Sequence, residues 1–202
     1  MIIGVSGAQG QGKSTLISDC VASNYGGCKL GLQTSREILN DWGYTLSEVN
    51  KYSPLKVKFQ DELIKRHEKS LIRSLELASE AKLVFLVERT FADIFTYALA
   101  SIGPHNEYSN WLDEYAEKCS EAQKKYFHTV VFLQGREYVP EDDGVRSVNI
   151  HFAHLANSMI LHYAETFSND DSLLVVNVSD RNSRVQHLNA KIANIKEENK
   201  WA

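Results

Sequence analysis

The sequence predicts an α/β domain: a five-stranded, mostly parallel sheet with helices on both faces. Three observations carry this expectation. Five short apolar, β-rich runs recur along the chain, helical apolar patterns separate them, and the glycine-rich stretch GVSGAQGQGKST (residues 4–15) follows the first run directly. Near-continuous apolar character marks strands buried on both faces, and strand–helix alternation is the pattern of parallel strands joined by crossover helices.

The expected strands are IIGVS (2–6), CKLGLQ (28–33), LVFLVE (83–88), TVVFLQ (129–134) and LLVVNV (173–178). Helical spacing is read at 13–23, 35–42, 56–81, 91–101, 109–126, 150–167 and 184–198. The first of these has Leu16, Ile17 and Val21 on one side, and the fourth repeats Phe91, Ile94, Phe95, Ala98 and Leu99 at i, i+3, i+4. Turns are marked by Gly26-Gly27, Gly103-Pro104 and the segment from Pro140 to Gly144, with no composition shift that would suggest a linker. No repeat or low-complexity segment is evident, so residues 1–202 read as one domain.

The glycine stretch contains G-x-x-x-x-G-K-[ST] at Gly7 to Ser14. Its four fixed positions match by chance about once in a hundred chains of this length, and a strand before it and a helix after it make accident rarer. Glycines let several backbone N–H groups converge on one phosphate chain, and the following helix turns its positive dipole end on the same anion. Gly7, Gln9, Gly10, Gln11, Gly12, Lys13, Ser14 and Thr15 are therefore expected to cradle a nucleotide's phosphates. Lys13 would reach the β/γ phosphates, projecting into solvent when no nucleotide is bound, and the Ser14 hydroxyl would bind Mg²⁺.

Composition narrows the partners. Apolar residues make up 43% and charged residues 24%, as in an ordinary soluble globule. The net charge of −4 provides no global basic field for nucleic acid, although KVKFQDELIKRHEKSLIR (56–73) is a local basic run that keeps DNA open. Cys20, Cys28 and Cys119 are odd in number and far apart, which suits free thiols in a reducing compartment better than disulfides or a zinc site. The first strand starts next to Met1 and no apolar run reaches membrane-spanning length, so a cytoplasmic protein without membrane contact is expected. The seven histidines lack ligand spacing; His151, His154 and His162 read as structural or solvated.

Other candidates cluster where strands end, the edge at which α/β proteins bind ligands. Glu88 and Arg89 close the third strand; the acid can hold Mg²⁺ and the guanidinium a phosphate, or the two can form a surface ion pair. After the second strand come Gln33, Arg36, Glu37 and Trp42, candidates for the acceptor site. Glu37 suits a general base or a first-turn helix acid equally. The polar run QGREYVPEDDGVRSVN (134–149) carries Arg136 and Arg146, of which Arg146 is the better candidate to neutralise charge from a closing lid (136–147). Beyond the fifth strand, Asp180 or Asn182 can cap the last helix, and Arg181 or Arg184 can pack against an adenine.

The segments GAQGQGKST, TSREI, ERTFAD, TYA and DDGVR, in this order, resemble P-loop small-molecule kinases. The resemblance is to the group of nicotinamide riboside kinase-like domains and bacteriophage nucleotide-kinase-like proteins, and it spans about residues 1–167. Glu88-Arg89-Thr90 also looks like the Glu-Arg-Ser element of deoxyribonucleoside kinases. The resemblance implies a three-layer P-loop kinase fold with strand order 2-3-1-4-5, ATP and Mg²⁺ as cofactors, and catalytic roles for Lys13, Glu88, Arg89 and Arg146. It also implies bacteriophage nucleotide metabolism. The chain departs from the group at Gln33, where relatives often carry an acid, and at Glu88, where Asp is commoner; the general base is then Glu37 or Glu88.

A small nucleoside or nucleotide is the expected acceptor, with hydroxymethyluracil in DNA as the alternative, since some phage members of the class phosphorylate it. A switch GTPase would show N-K-x-D, which is missing, and an AAA-type ATPase would call for more chain and a sensor region. A P-loop ATPase or a non-catalytic ATP-binding module is the rival class. A homodimer is compatible with the sequence.

Overall fold

A computed structural model describes residues 1–23, 27–30, 35–103, 106–134 and 149–200. Five parallel strands form one sheet: β1 (Ile2–Ser6), β2 (Gly27–Leu30), β3 (Val84–Glu88), β4 (Thr129–Gln134) and β5 (Leu173–Asn177), in the order β2-β3-β1-β4-β5. Around it lie α1 (Lys13–Ala22), α2 (Ser35–Trp42), α3 (Leu46–Asn50), α4 (Ser53–Ala81), α5 (Phe91–Ile102), α6 (Ser109–Tyr126), α7 (Ile150–Phe167) and α8 (Arg181–Glu198).

Alternation along the strands sorts side chains into two cores. Ile3 and Val5 of β1, Val84 and Leu86 of β3, and Val131 and Leu133 of β4 pack with Leu16, Ile17 and Cys20 of α1 and Leu188, Ile192 and Ile195 of α8. Ile2, Val87 and Val130 point the other way, into a core with α4, α5, α6 and α7 that includes Leu71, Phe91, Phe95, Tyr115 and Phe167. Each such fully buried apolar side chain contributes about 1.5–3 kcal/mol, which is why the central strands β1, β3 and β4 read as apolar runs. At Gly4 there is no room for a side chain: an added Cβ would lie 2.5 Å from Thr90 Cγ2 and 3.0 Å from the Phe127 ring.

Several boundaries differ from the sequence expectation. α4 begins at Ser53, with Pro54 in its first turn, where proline's missing N–H does no harm. α8 begins at Arg181, because the Asp180 carboxylate accepts from the Ser183 N–H at 2.7 Å and caps the helix. The short α3 was not anticipated; its signal was the Thr45/Glu48 capping box, in which each side chain bonds the other's backbone. The second strand was expected at 28–33; the described strand is Gly27–Leu30, and 31–34 lie outside the described residues. Cys20, Cys28 and Cys119 are free thiols; Cys20 and Cys119 are buried, and burial pushes the Cys20 thiol up to about 12.

Register positions the site. β1 sits between β3 and β4, with Val5 paired to Glu88 and Ser6 to Phe132, so the carboxyl end of β3 comes level with the start of the glycine loop.

Candidate functional site

The loop from Gly7 to Gly12 joins β1 to α1. Gly7 (φ 135°), Gly10 (φ 81°) and Gly12 (φ 83°) occupy conformations that residues with a Cβ rarely adopt. A Cβ on Gly7 would also press to 3.1 Å from the Leu133 carbonyl oxygen.

Three helices hold the loop from outside. The Ala8 N–H donates to Asn157 Oδ1 of α7 at 2.8 Å. The Gln9 N–H donates to the Tyr97 hydroxyl of α5 at 3.3 Å, and that hydroxyl donates back to Gln9 Oε1 at 2.5 Å. From α8, the buried Arg184 guanidinium donates to the carbonyls of Gln11 (2.6 Å), Gln134 (2.8 Å) and Val178 (2.6 Å), joining the loop to the ends of β4 and β5. Of the two arginines read as adenine contacts, Arg184 is thus engaged with three backbone carbonyls.

Lys13 differs from expectation in its setting. It is buried, not projecting into solvent, and its ammonium donates to the carbonyls of Gly7 at 2.7 Å and Ala8 at 2.9 Å. Loop carbonyls take the place of water around the charge. At the same end of α1, the Ser14 hydroxyl donates to Glu88 Oε2 at 2.6 Å, bringing together the two residues expected to serve a metal.

Beneath the loop is a fully buried carboxylate that the sequence reading passed over. Asp93 Oδ2 accepts from the Ser6 hydroxyl at 2.6 Å, from the Thr90 N–H at 3.0 Å and from the Thr90 hydroxyl at 2.9 Å, while Oδ1 accepts from the Gly7 N–H at 3.3 Å. It joins the first glycine of the loop to the Glu88-Arg89-Thr90 turn. The Thr90-x-x-Asp93 spacing of a capping box was the available signal.

Arg89 is a non-glycine residue at φ 79°, a strained conformation held by its N–H bond to the Val5 carbonyl at 2.9 Å. Its guanidinium lies 5.1 Å from the Tyr97 ring centroid, so one tyrosine contacts both the loop and this arginine. Burial pushes the Tyr97 phenol above its ordinary range. Nearby on α4, His67 packs edge-on to Phe91 at 5.1 Å; burial first, then the Arg89 charge, depress its imidazole to about 3.

Arg181 reaches Asp19 of α1 with two parallel bonds, Nε to Oδ2 and Nη2 to Oδ1, each 2.6 Å. That bidentate contact holds the Asp19 carboxyl below its usual range. Together with Gly12, Thr15, Leu16, Ser179 and Arg184 they line a narrow cleft beside the loop.

Three of the acceptor candidates lie on α2. Arg36 and Glu37 are exposed on α2, and Trp42 packs edge-on to Phe59 at 6.1 Å with the Lys58 ammonium over its ring at 5.4 Å. Gln33, Arg136 and Arg146, with the expected lid at 136–147, lie outside the described residues. His151, His154 and His162 are exposed on α7. Among the described residues no group of three or more His, Cys, Asp or Glu gathers that could hold a metal, and no helix is long and apolar enough to cross a membrane.

A glycine loop between β1 and α1 of a parallel sheet ordered 2-3-1-4-5, with helices on both faces, is a P-loop kinase fold. A family model described as an AAA domain matches residues 2–180, and the chain belongs to that family. The expectation above that an AAA-type protein would call for more chain did not foresee this match. Among solved structures the chain is similar to thymidylate kinase from Ehrlichia chaffeensis, with 12% identity over 95% of this chain and 98% of that one and a TM-score of 0.61. At that identity the likeness is one of fold. No curated protein matches the sequence.

Proposed function

We propose that the protein is a kinase that transfers the γ-phosphate of ATP to a nucleoside or nucleotide. The observation that carries this reading is the 2.6 Å bond from Ser14 to Glu88, which sets a hydroxyl and a carboxylate together at the mouth of a glycine loop. Binding of a phosphate chain alone needs the loop and Lys13; an acid at this position adds what transfer requires. Two hard oxygens without a full cage suit Mg²⁺, which keeps much of its water and shares the remaining positions with substrate phosphates. When bound, the ion would neutralise charge on the β- and γ-phosphate oxygens.

Gly7, Gln9, Gly10, Gln11, Gly12 and Thr15 would bind the donor through the loop, and Arg181 its base. The acceptor oxygen forms a bond to the γ-phosphorus as the bond to the bridging oxygen breaks, and ADP leaves. A hydroxyl acceptor gives its proton to Glu88 or Glu37. Lys13 turns from the Gly7 and Ala8 carbonyls to the phosphates, and Arg89 and Arg146 stabilise charge on the transferred group. Gln33, Arg36, Glu37 and Trp42 are assigned to the acceptor. The kinship with nicotinamide riboside kinase-like and phage nucleotide-kinase-like proteins belongs to this same proposal.

The net charge of −4 favours a small acceptor over DNA, and the basic run on α4 is partly paired. In the basic run, Lys56 donates to the Ser101 carbonyl, Lys58 covers Trp42, Lys65 pairs with Glu62, and Arg66 pairs with Glu62 and Asp41. Lys69 and Arg73 of the same run are exposed, so DNA stays in the test below.

The test is turnover of labelled ATP against nucleosides, nucleoside monophosphates and DNA containing hydroxymethyluracil. Mg²⁺-dependent transfer to a free nucleoside or nucleotide is expected. Hydrolysis independent of any acceptor, or saturable ATP binding without turnover, would overturn the reading in favour of an ATPase or a binding module.

A further inference from the structure

Resting on the reading of the glycine loop as a triphosphate site, we propose that Asp19 is a positioning residue of that site. It pins the Arg181 guanidinium as a flat platform on which the donor's base stacks.

The cleft starts where the loop ends. Gly12 and Thr15 border it at the loop, with Leu16, Asp19, Ser179, Arg181 and Arg184 as its other lining residues. Thr15 and Asp19 are four residues apart on α1 and so share a face. A nucleoside attached to phosphates in the loop would leave along that face and meet Arg181.

The bidentate pair ties α8 to α1, and it does so while leaving the arginine largely open to solvent: its side chains are 68% (Arg181) and 22% (Asp19) exposed. Arg181 also stands at the first position of α8, where the positive end of the helix dipole opposes a cation. A charge placed against its helix dipole, then oriented by a carboxylate from another helix, points to a ligand requirement. Two parallel bonds to one carboxylate bring the guanidinium and carboxylate planes together and remove the rotation that a singly bonded arginine keeps. Arginine so held offers its planar face to an aromatic ring. Arg184 also borders the cleft but is 4% exposed and held among three backbone carbonyls, which leaves Arg181 as the accessible platform.

A stacking platform reads ring area more than hydrogen-bond pattern, so purine triphosphates should bind more tightly than pyrimidine ones. Equilibrium titration of the full chain with ATP, CTP and inorganic tripolyphosphate, each with Mg²⁺, tests this. Asp19→Ala is expected to weaken ATP about tenfold and to narrow the gap between ATP and CTP, with tripolyphosphate unchanged. Arg181→Ala should do the same, and the double variant should be no worse than Arg181→Ala, since both remove one device. Unchanged ATP affinity in Asp19→Ala, additive losses, or an equal loss of tripolyphosphate would overturn the proposal. Wild-type protein that binds tripolyphosphate as tightly as ATP would remove the platform and leave the triphosphate site standing. Binding of neither would remove both.

Discussion

Ser14 and Glu88 are separated by 74 residues of sequence, yet the hydroxyl of one donates to the carboxylate of the other at 2.6 Å. Parallel pairing of β1 with β3 brings them together: Val5 lies opposite Glu88, and the loop then returns the chain to Ser14 at the start of α1. Glu88→Gln keeps the shape and removes the charge. In the kinase reading it should lower the transfer rate by about 10²-fold while nucleotide binding persists. Measuring rate against Mg²⁺ concentration checks this; a Glu88→Gln protein with normal turnover would leave the carboxylate as a simple partner of Ser14.

Lys13 lies folded onto the Gly7 and Ala8 carbonyls, so Lys13→Ala tests structure and chemistry separately. Loss of these two charge-assisted bonds should lower stability by about 1–2 kcal/mol, leaving a folded protein. Phosphoryl transfer should fall below detection. Circular dichroism on heating gives the first result and labelled ATP the second; near-normal transfer by the folded variant would remove Lys13 from the reaction.

Asp93 is the acceptor for four donors in a site with no exposure. Asp93→Ala leaves the donors of Ser6, Gly7 and Thr90 without this partner and is expected to destabilise by about 3 kcal/mol or more. Asp93→Asn, which retains one carbonyl oxygen, should be milder. Urea titration reads both as shifts in midpoint. A change under about 1 kcal/mol for Asp93→Ala would mean that the loop and the Glu88-Arg89-Thr90 turn are held by other contacts.

His67 links stability to pH. Its imidazole is lowered from 6.5 to about 3, chiefly by burial, so below pH 6.5 the unfolded chain takes up a proton that the folded chain refuses. Stability from this group is therefore complete above that value and is lost as pH falls towards 3, by up to about 1.4 kcal/mol per pH unit. His67→Leu should flatten the acid side of the stability curve. Equal slopes in the two proteins between pH 6 and about 4 would show that the buried imidazole titrates normally.

Sequence alone determined the elements. Strand runs, helix periodicity and the Gly7–Ser14 motif depend on neighbours within a few residues, and burial of both sheet faces prints itself as continuous apolar character. So β1, β3, β4 and β5 and most helix bounds were legible, whereas the bond of Ser14 to Glu88 came with the pairing of β1 and β3. Tertiary structure decided what depends on distant partners. Asn157 meets Ala8 across 149 residues, and Arg181 meets Asp19 across 162; no local pattern announces either contact. Lys13 and Arg184 show the same limit. A cation's chemical type is visible in sequence, but whether carbonyls or solvent surround it depends on how loop, strand ends and helix pack. Asp93 lay between these cases: its capping spacing was local, and its hold on Ser6 and Gly7 came only with the sheet.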